Sequence, residues 1–282
     1  MAHLLRFFLL FCLVLIPQAT VGAPALPEGF RLLGSGQVSA VSDGDTLSLS
    51  DEASGREVVV RLVGIMAPKL PLGRAGFRPW PRGVEAKAAL EELVLGKTVE
   101  IWVGETIRDR HGRILAHLVR AEDGLWVQGA MLQGGLARVY SFADNRMGVA
   151  AMYALEDGAR RAARGLWSHP DYAVLPAAQA EKAVRSFAVI EGRVLKVAGV
   201  GSRVYLNFGE DWRRDFTIKL ERNAQRLFDA EGLDLMAFQS RLLRVRGWVK
   251  WENGPMIEVS HPEQLEVLEG RIETGTKEAQ EP

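Results

Sequence analysis

The sequence is poor in cysteine, in net charge and in long apolar runs. Its 282 residues contain one cysteine, Cys12, so no disulfide can form within the chain and core packing must supply the stability. Lys and Arg together number 35, as do Asp and Glu, so no overall positive field draws the chain onto polyanions. Any affinity for nucleic acid must therefore come from a local patch.

One apolar run stands out, from Phe7 to Ile16, with Arg6 before it and small residues up to Ala25 after it. This order is typical of a secretory signal peptide, here residues 1–25. The run is about half of the ~20 residues needed to span a bilayer, so a retained anchor is the alternative. The sequence predicts export to a periplasm or secretion, with no membrane span after cleavage.

Turn residues and apolar periodicity mark a first domain over residues 29–172. Strands are predicted at 31–43, 46–50 and 56–65, followed by a helix at 83–96 that ends at a glycine. Three further strands are predicted within 97–127, then helices over 127–140 and 147–169. This order predicts a mainly β domain with α elements.

An Ala-rich stretch, 173–184, is predicted to be a linker, and a second domain follows over 185–269. Its pattern is three strands, a helix at 221–239 and two strands, which is the order of a small five-stranded OB-type barrel. Residues 270–282 form a polar tail.

Four short motifs of the first domain carry chemistry when they are taken together. They are "DGDT" (43–46), "RLVGIMAPK" (61–69), "DRHGR" (109–113) and "GLARVYSF" (135–142). This ordered set resembles the staphylococcal nuclease (thermonuclease-like) family over about residues 37–167. The resemblance implies an OB-type five-stranded barrel packed against helices, so the chain is expected to hold two such barrels in tandem.

The resemblance also implies a site for calcium-assisted phosphodiester hydrolysis. Arg61 and Arg113 match the two arginines that hold the phosphate and stabilise its developing charge. Tyr140 matches a substrate-contacting tyrosine, and Asp43 and Thr46 are assigned to substrate binding beside it.

The metal and water-activating half of this site departs from the family pattern. Asp45 matches one metal ligand, but Met66 stands where the family has a second aspartate and Lys69 where it has a glutamate. A cation repels a metal directly, and lysine is a poor general base near neutral pH. We therefore expect a pseudoenzyme without cofactor, whose calcium-dependent phosphodiesterase activity is impaired or absent. In it Lys69 takes part of the charge role of calcium and converges with Arg61 and Arg113, with Asp43 and Asp45 beside them, on a phosphate of nucleic acid or another polyanion.

Two other functions remain open. In the first, the protein is an active nuclease, and Asp144 and Asn145 of "SFADNR" or Asp43 complete an altered calcium site. In the second, it is a structural or interaction module of the cell envelope.

Simpler interpretations accompany several of these residues. "DGDT" also makes a good turn without any function, and Arg61 and Arg113 could form surface ion pairs. His111 and His117 lack the spacing of a zinc site. The loop 69–83 interleaves basic residues with Phe77 and Trp80, a composition that suits either single-stranded nucleic acid or packing within the domain.

Overall fold

The computed structural model describes residues 22–50 and 57–268. Residues 1–21 of the predicted signal peptide and the predicted tail at 270–282 lie outside the described residues. Within the described part, no helix is long and apolar enough to cross a membrane.

The first unit, residues 22–172, combines a barrel with three helices. Its strands are β1 (Arg31–Asp43), β2 (Thr46–Ser50), β3 (Glu57–Leu62), β4 (Gly64–Met66), β5 (Thr98–Val103), β6 (Ile114–Arg120) and β7 (Arg138–Tyr140). Its α-helices are α1 (Gly83–Val94), α2 (Val127–Gln133) and α3 (Val149–Arg161). Short 3-10 turns at Gly165–Ser168 and Pro170–Tyr172 follow α3.

Five strands of this unit close into a barrel in the order β1-β2-β3-β6-β5. The long strand β1 closes it, because residues 31–37 pair with β5 while residues 37–43 pair with β2. The pair β3–β6 is parallel and the other pairs are antiparallel. Apolar residues of the strands and of all three helices form one core, with Leu47, Leu62, Leu90, Trp126 and Met152 fully buried. The fold is therefore the α+β class that the sequence predicts.

The strand predicted at 56–65 is split, because β3 ends at Leu62 and β4 begins at Gly64, and the helix predicted over 147–169 ends at Arg161. Two predictions for residues 121–140 are also wrong. The predicted third strand before residue 127 is absent from this segment, because Val127 begins α2 and Trp126 makes only an isolated bridge to β6. The helix predicted over 127–140 ends at Gln133. Gly135 has a positive φ of 66°, and a Cβ there would lie 2.3 Å from the Arg164 carbonyl oxygen, so the chain turns at this glycine and continues as β7.

The second unit, residues 173–268, is built on one mixed sheet. Its strands are β8 (Leu175–Pro176), β9 (Phe187–Arg193), β10 (Lys196–Val200), β11 (Arg203–Asn207), β12 (Thr217–Leu220), β13 (Leu242–Trp251), β14 (Pro255–Val259) and β15 (Leu265–Val267). Its α-helix is α4 (Arg222–Ala230), and 3-10 turns lie at Ala177–Ala183, Leu235–Phe238 and Pro262–Gln264. The predicted helix over 221–239 thus ends early, at Ala230.

The sheet of the second unit has eight strands instead of the predicted five, in the order β10-β11-β12-β14-β13-β9-β8 with β15 beside β13. The predicted strand over 186–200 is interrupted at Val194 and Leu195 and forms β9 and β10. If β9 and β10 count as one strand and β8 and β15 are set aside, the strand order and the parallel pair β12–β14 repeat the order and the parallel pair of the first barrel. The segment predicted as a linker contains β8, which pairs with β9.

A buried ion-pair network joins the two units. Arg246 of β13 donates to Glu156 of α3 at 2.6 Å and to Glu266 at 2.7 Å, and Arg246 and Glu156 are almost fully buried. Glu156 also accepts from the backbone N–H of Val139. Because removing Arg246 would leave the Glu156 carboxylate buried without its cation, the network fixes β13 against α3 and β7.

Candidate functional site

The "DGDT" motif forms the tight turn between β1 and β2. Gly44 lies against β4 and α1 so closely that a Cβ there would be 2.7 Å from the Ala67 Cβ and 2.9 Å from the Ala86 Cβ. Only glycine fits this approach, which places the carboxylates of Asp43 and Asp45 next to the chain that follows β4.

The carboxylate of Asp45 is fully buried and surrounded by donors. Its Oδ2 accepts from Lys69 Nζ at 2.5 Å and from the Ala67 backbone N–H at 2.8 Å, and it lies 3.2 Å from Arg61 Nη2. Its Oδ1 accepts from the Thr46 hydroxyl at 3.2 Å. Burial alone raises the pKa of Asp45, but the charges of Arg61 and Lys69 outweigh it and hold that pKa below its ordinary value.

Lys69 bridges the two aspartates of the motif. Its ammonium lies 2.5 Å from Asp45 Oδ2 and 3.4 Å from Asp43 Oδ2, with 22% of its side chain exposed. Burial raises the pKa of Asp43, Lys69 opposes this shift, and the nearby Asp45 carboxylate adds to it, so the net direction is upward. Lys69 therefore stabilises the ionised forms of Asp43 and Asp45, whose two carboxylates repel each other.

Arg61, at the end of β3, is held by the backbone around it. Its guanidinium donates to the carbonyl oxygens of Leu62 at 2.5 Å, Ile65 at 2.8 Å and Asp45 at 3.2 Å. These bonds and the Asp45 carboxylate fix one edge of the guanidinium, while the side chain stays 12% exposed and lines a surface pocket. Arg61 is thus both a structural cross-link and a member of the pocket wall.

Arg113 stands at the end of the turn between β5 and β6. Its Nε and Nη2 both lie 2.7 Å from Asp109 Oδ2, and its backbone N–H donates to Asp109 Oδ1 at 3.0 Å. Asp109 also accepts from the backbone N–H of His111. Partial burial acts to raise the pKa of Asp109, but the Arg113 hydrogen bond and the other donors hold it below its ordinary value. With 34% of its side chain exposed, Arg113 remains accessible to a ligand.

The two arginines meet at one open pocket of about 520 Å³. The charged residues of its wall are four arginines and two aspartates, namely Arg61, Arg108, Arg110, Arg113, Asp109 and Asp144. The charged residues thus give the pocket a net positive charge, although the chain as a whole is neutral. Such a local excess of guanidinium groups favours phosphate oxygens.

Two aromatic rings border this pocket. Tyr140 enters it because β7 pairs with β4 and sets Tyr140 opposite Gly64. Phe142 follows two residues later, 46% exposed, with its ring centroid 4.7 Å from that of Tyr140. The pocket therefore combines cations with exposed aromatic surface.

The structure brings some of the predicted site residues together and separates others. Arg61, Arg113 and Tyr140 share the pocket. Asp43, Asp45, Thr46 and Lys69 form a separate buried cluster behind Arg61, and none of them lines the pocket. The expected convergence of Lys69 with Arg113 is not seen, because Asp45 and Asp43 hold the ammonium.

Sequence reasoning missed three pocket residues, Arg108, Arg110 and Phe142, as members of the site. The signal was present for the arginines, since they flank Asp109 in the same short turn as Arg113. Of the residues considered as replacement metal ligands, Asp144 lines the pocket. Asn145 is buried and donates to the Thr106 carbonyl instead.

The residues present do not fit a calcium ion. Calcium takes six to eight oxygen ligands, several of them charged. Three donors already surround Asp45 Oδ2, and the Lys69 ammonium sits between the aspartates. Met66, which the family resemblance aligns with a second aspartate, is a buried thioether. Among the described residues, no group of three or more His, Cys, Asp or Glu side chains is placed to hold a metal.

His117 is a core residue rather than a ligand. It is 2% exposed, accepts a hydrogen bond from Trp126 Nε1 through Nδ1 at 3.1 Å and packs against Phe30. Burial lowers its pKa to about 3, so it stays neutral. His111 is exposed in the Asp109 turn and contacts Arg110.

Part of the chain is similar in sequence to known proteins. Residues 59–169 match the family model of staphylococcal nuclease homologues. The match includes Arg61, Lys69, Arg113 and Tyr140 and begins after Asp43 and Asp45.

Curated relatives lead to the same family. Over 118 residues, 42% of this chain, it is 33% identical to the probable staphylococcal-like nuclease CAN1 of Oryza sativa subsp. japonica and 34% identical to CAN2 of the same plant. These residues span 31% and 28% of the two relatives. The chain thus corresponds to about a third of their length, and the similarity supports a nuclease-like domain.

Proposed function

We propose that this protein binds a phosphate-bearing polymer, nucleic acid in the first place, at the pocket of Arg61 and Arg113 without the help of calcium. The observation that carries the proposal is the pocket wall, where four arginines face two aspartates beside Tyr140 and Phe142. Guanidinium groups bind phosphate oxygens through paired, charge-assisted hydrogen bonds, and aromatic rings offer faces for bases.

Lys69 supports the metal-independent part of the proposal. The ammonium neutralises the Asp43 and Asp45 carboxylates from within the protein, so no external cation is needed to stabilise them. In this arrangement the Asp45 carboxylate binds the Arg61 side chain and does not bind a metal ion. Phosphodiester hydrolysis would then lack both the ion and the carboxylate that activates water.

Two further expectations belong to this proposal. The second unit repeats the strand order of the first barrel, which supports a second OB-type barrel. The apolar leader of the sequence supports export to a periplasm or the medium, where nucleic acid would be encountered outside the cytoplasm.

The test is the affinity for a short fluorescent single-stranded oligonucleotide, measured by anisotropy in chelator over a series of salt concentrations. Arg113→Ala should weaken binding and make the slope of log K against log salt shallower by about 0.7, the value for one lost phosphate contact. The matched control is Arg226→Ala, because Arg226 is exposed on α4 and does not line the pocket. Equal affinities for Arg113→Ala and the control would overturn the proposal and leave a structural role.

A second candidate function is metal-assisted hydrolysis, and one observation favours it. Asp144 and Asp109 lie in the wall of the arginine pocket. A magnesium ion can be held by one or two carboxylates together with substrate phosphates. Cleavage of DNA or RNA that requires a divalent ion, and that Asp144→Asn abolishes, would establish this function over the first.

A further inference from the structure

Five aromatic rings form a continuous cluster that begins in the pocket and crosses to the second unit. We call it the aromatic track: Phe142, Tyr140, Phe187, Trp248 and Trp80. The ring centroids of successive members lie 4.7, 5.3, 6.2 and 6.2 Å apart. The first two members line the arginine pocket, whereas Phe187 and Trp248 belong to β9 and β13 of the second unit.

The exposure of the rings changes along the aromatic track. Phe142 is 46% and Trp248 41% exposed, Tyr140 and Trp80 are half-buried, and Phe187 is 5% exposed. The exposed Trp248 therefore packs against the buried Phe187, and the exposed Phe142 packs against the half-buried Tyr140. Large exposed aromatics with buried support offer preformed faces that cost little conformational entropy on binding.

Contacts between the units hold the aromatic track in place. Trp248 Nε1 donates to the Tyr140 hydroxyl at 3.3 Å. The buried Arg138 donates to the Phe187 carbonyl at 3.1 Å, and its guanidinium lies 4.8 Å from the Phe187 ring centroid. The second unit thus positions Trp248 at a fixed place beside the pocket.

Arginines lie near two parts of the aromatic track. Arg113 and Arg110 lie at the pocket end. Near Trp248, the exposed Arg185 donates its backbone N–H to the carbonyl of Val249, the residue next to Trp248.

We propose that the second unit extends the nucleic-acid site, and that bases of a single strand whose phosphate lies in the arginine pocket stack on Phe142 and Trp248. This inference rests on the proposed function. In a duplex the bases are stacked on one another and are closed to side chains, whereas an unpaired strand offers every base face to an aromatic ring. The aromatic track therefore selects single strands with little preference for sequence.

The test compares two labelled probes of equal length in chelator, a pyrimidine oligonucleotide and an abasic strand that carries the same phosphates without bases. Trp248→Ala should weaken the pyrimidine strand about 5-fold to 150-fold, the range for one stacked base, and leave the abasic strand unchanged. Trp248→Phe should restore most of the affinity. Trp251→Ala is the matched control, because Trp251 lies on the same strand, is 58% exposed and is not part of the aromatic track.

Phe142→Ala provides an independent variant in the first unit and should show the same selective loss, with thermal unfolding midpoints recorded for every variant. Arg113→Ala should weaken both probes. If Trp248→Ala matches Trp251→Ala, or weakens the abasic strand as much as the pyrimidine strand, the inference is overturned while the arginine pocket stands. If Arg113→Ala has no effect on either probe, the proposed function fails.

Discussion

Replacing Lys69 with methionine tests how the buried aspartates are stabilised. The substitution keeps most of the volume and removes the charge that contacts Asp45 at 2.5 Å and Asp43 at 3.4 Å. Removing one partner of a buried ion pair costs roughly 3–5 kcal/mol. Because Arg61 still faces Asp45 and Lys69 is 22% exposed, we expect a smaller loss, about 2–3 kcal/mol in the free energy of unfolding at pH 7.

The loss should depend on pH, and its sign follows from the two carboxylates. In the wild type the pKa of Asp45 is depressed, so this group contributes stability above its unfolded pKa, near 3.8, and loses it as pH falls through the folded pKa. Without Lys69 the pKa of Asp45 and that of Asp43 both rise, and keeping the pair ionised becomes costly at neutral pH. Protonation relieves part of this cost in acid, so the variant should lose about 1 kcal/mol less at pH 4.5 than at pH 7.

Urea unfolding at the two pH values measures both quantities, provided that the m-value stays the same. The matched control is Lys250→Met, since Lys250 is 59% exposed and pairs with Glu258 at the surface. We expect a change of about 0–0.5 kcal/mol for it, independent of pH between 4.5 and 7. A loss for Lys69→Met that is no larger than that of the control, or that is equal at both pH values, would refute the reasoning.

Three further predictions concern the core and the metal half of the site. Arg246→Met should lower the free energy of unfolding by about 3–5 kcal/mol, because it leaves the Glu156 carboxylate buried without its cation. Adding Glu156→Gln should recover part of this loss. A double-mutant cycle in which the two effects simply add would contradict the coupling. His117 is buried and neutral with a pKa of about 3, so the unfolded state takes up a proton at higher pH than the folded state does. The free energy of unfolding of the wild type should therefore fall by about 2 kcal/mol between pH 7 and pH 5, and urea titrations of His117→Gln should not show this fall. The same fall in the variant would mean that another group causes the pH dependence. Met66→Asp combined with Lys69→Glu should bind calcium with a dissociation constant of roughly 10⁻⁴–10⁻³ M in calorimetry, and the absence of any heat would mean that position 66 does not face Asp45.

Local signals predicted the first barrel well. The bounds of β1 and β2 follow from the Asp-Gly turn between them, and α1 ends at Val94, two residues before the predicted stop at Gly96. Predictions were less accurate where pairing with a distant strand determines the secondary structure. Residues 138–140 continue a helical pattern in the sequence but form a strand, because β4 offers them a partner more than 70 residues away.

In the site, too, features set by short motifs could be predicted, and contacts between residues far apart in the sequence could not. Arg61, Arg113 and Tyr140 could be placed together because the ordered motifs that contain them resemble those of the staphylococcal nuclease family. The pairing of Lys69 with both aspartates could not be derived, since the sequence shows charges but not which of them meet across the turn. The contact of Trp248 with Tyr140 joins residues that are 108 positions apart, and no local sequence pattern predicts this contact.

The affinity of the wild-type protein for a labelled single-stranded oligonucleotide, compared in chelator and in millimolar calcium at constant ionic strength, tests the central claim most directly. If Lys69 replaces the ion and the arginine pocket binds the phosphate, the two dissociation constants should agree and the strand should remain intact in both buffers. Binding that appears only with calcium, or cleavage that calcium switches on, would contradict a metal-independent site.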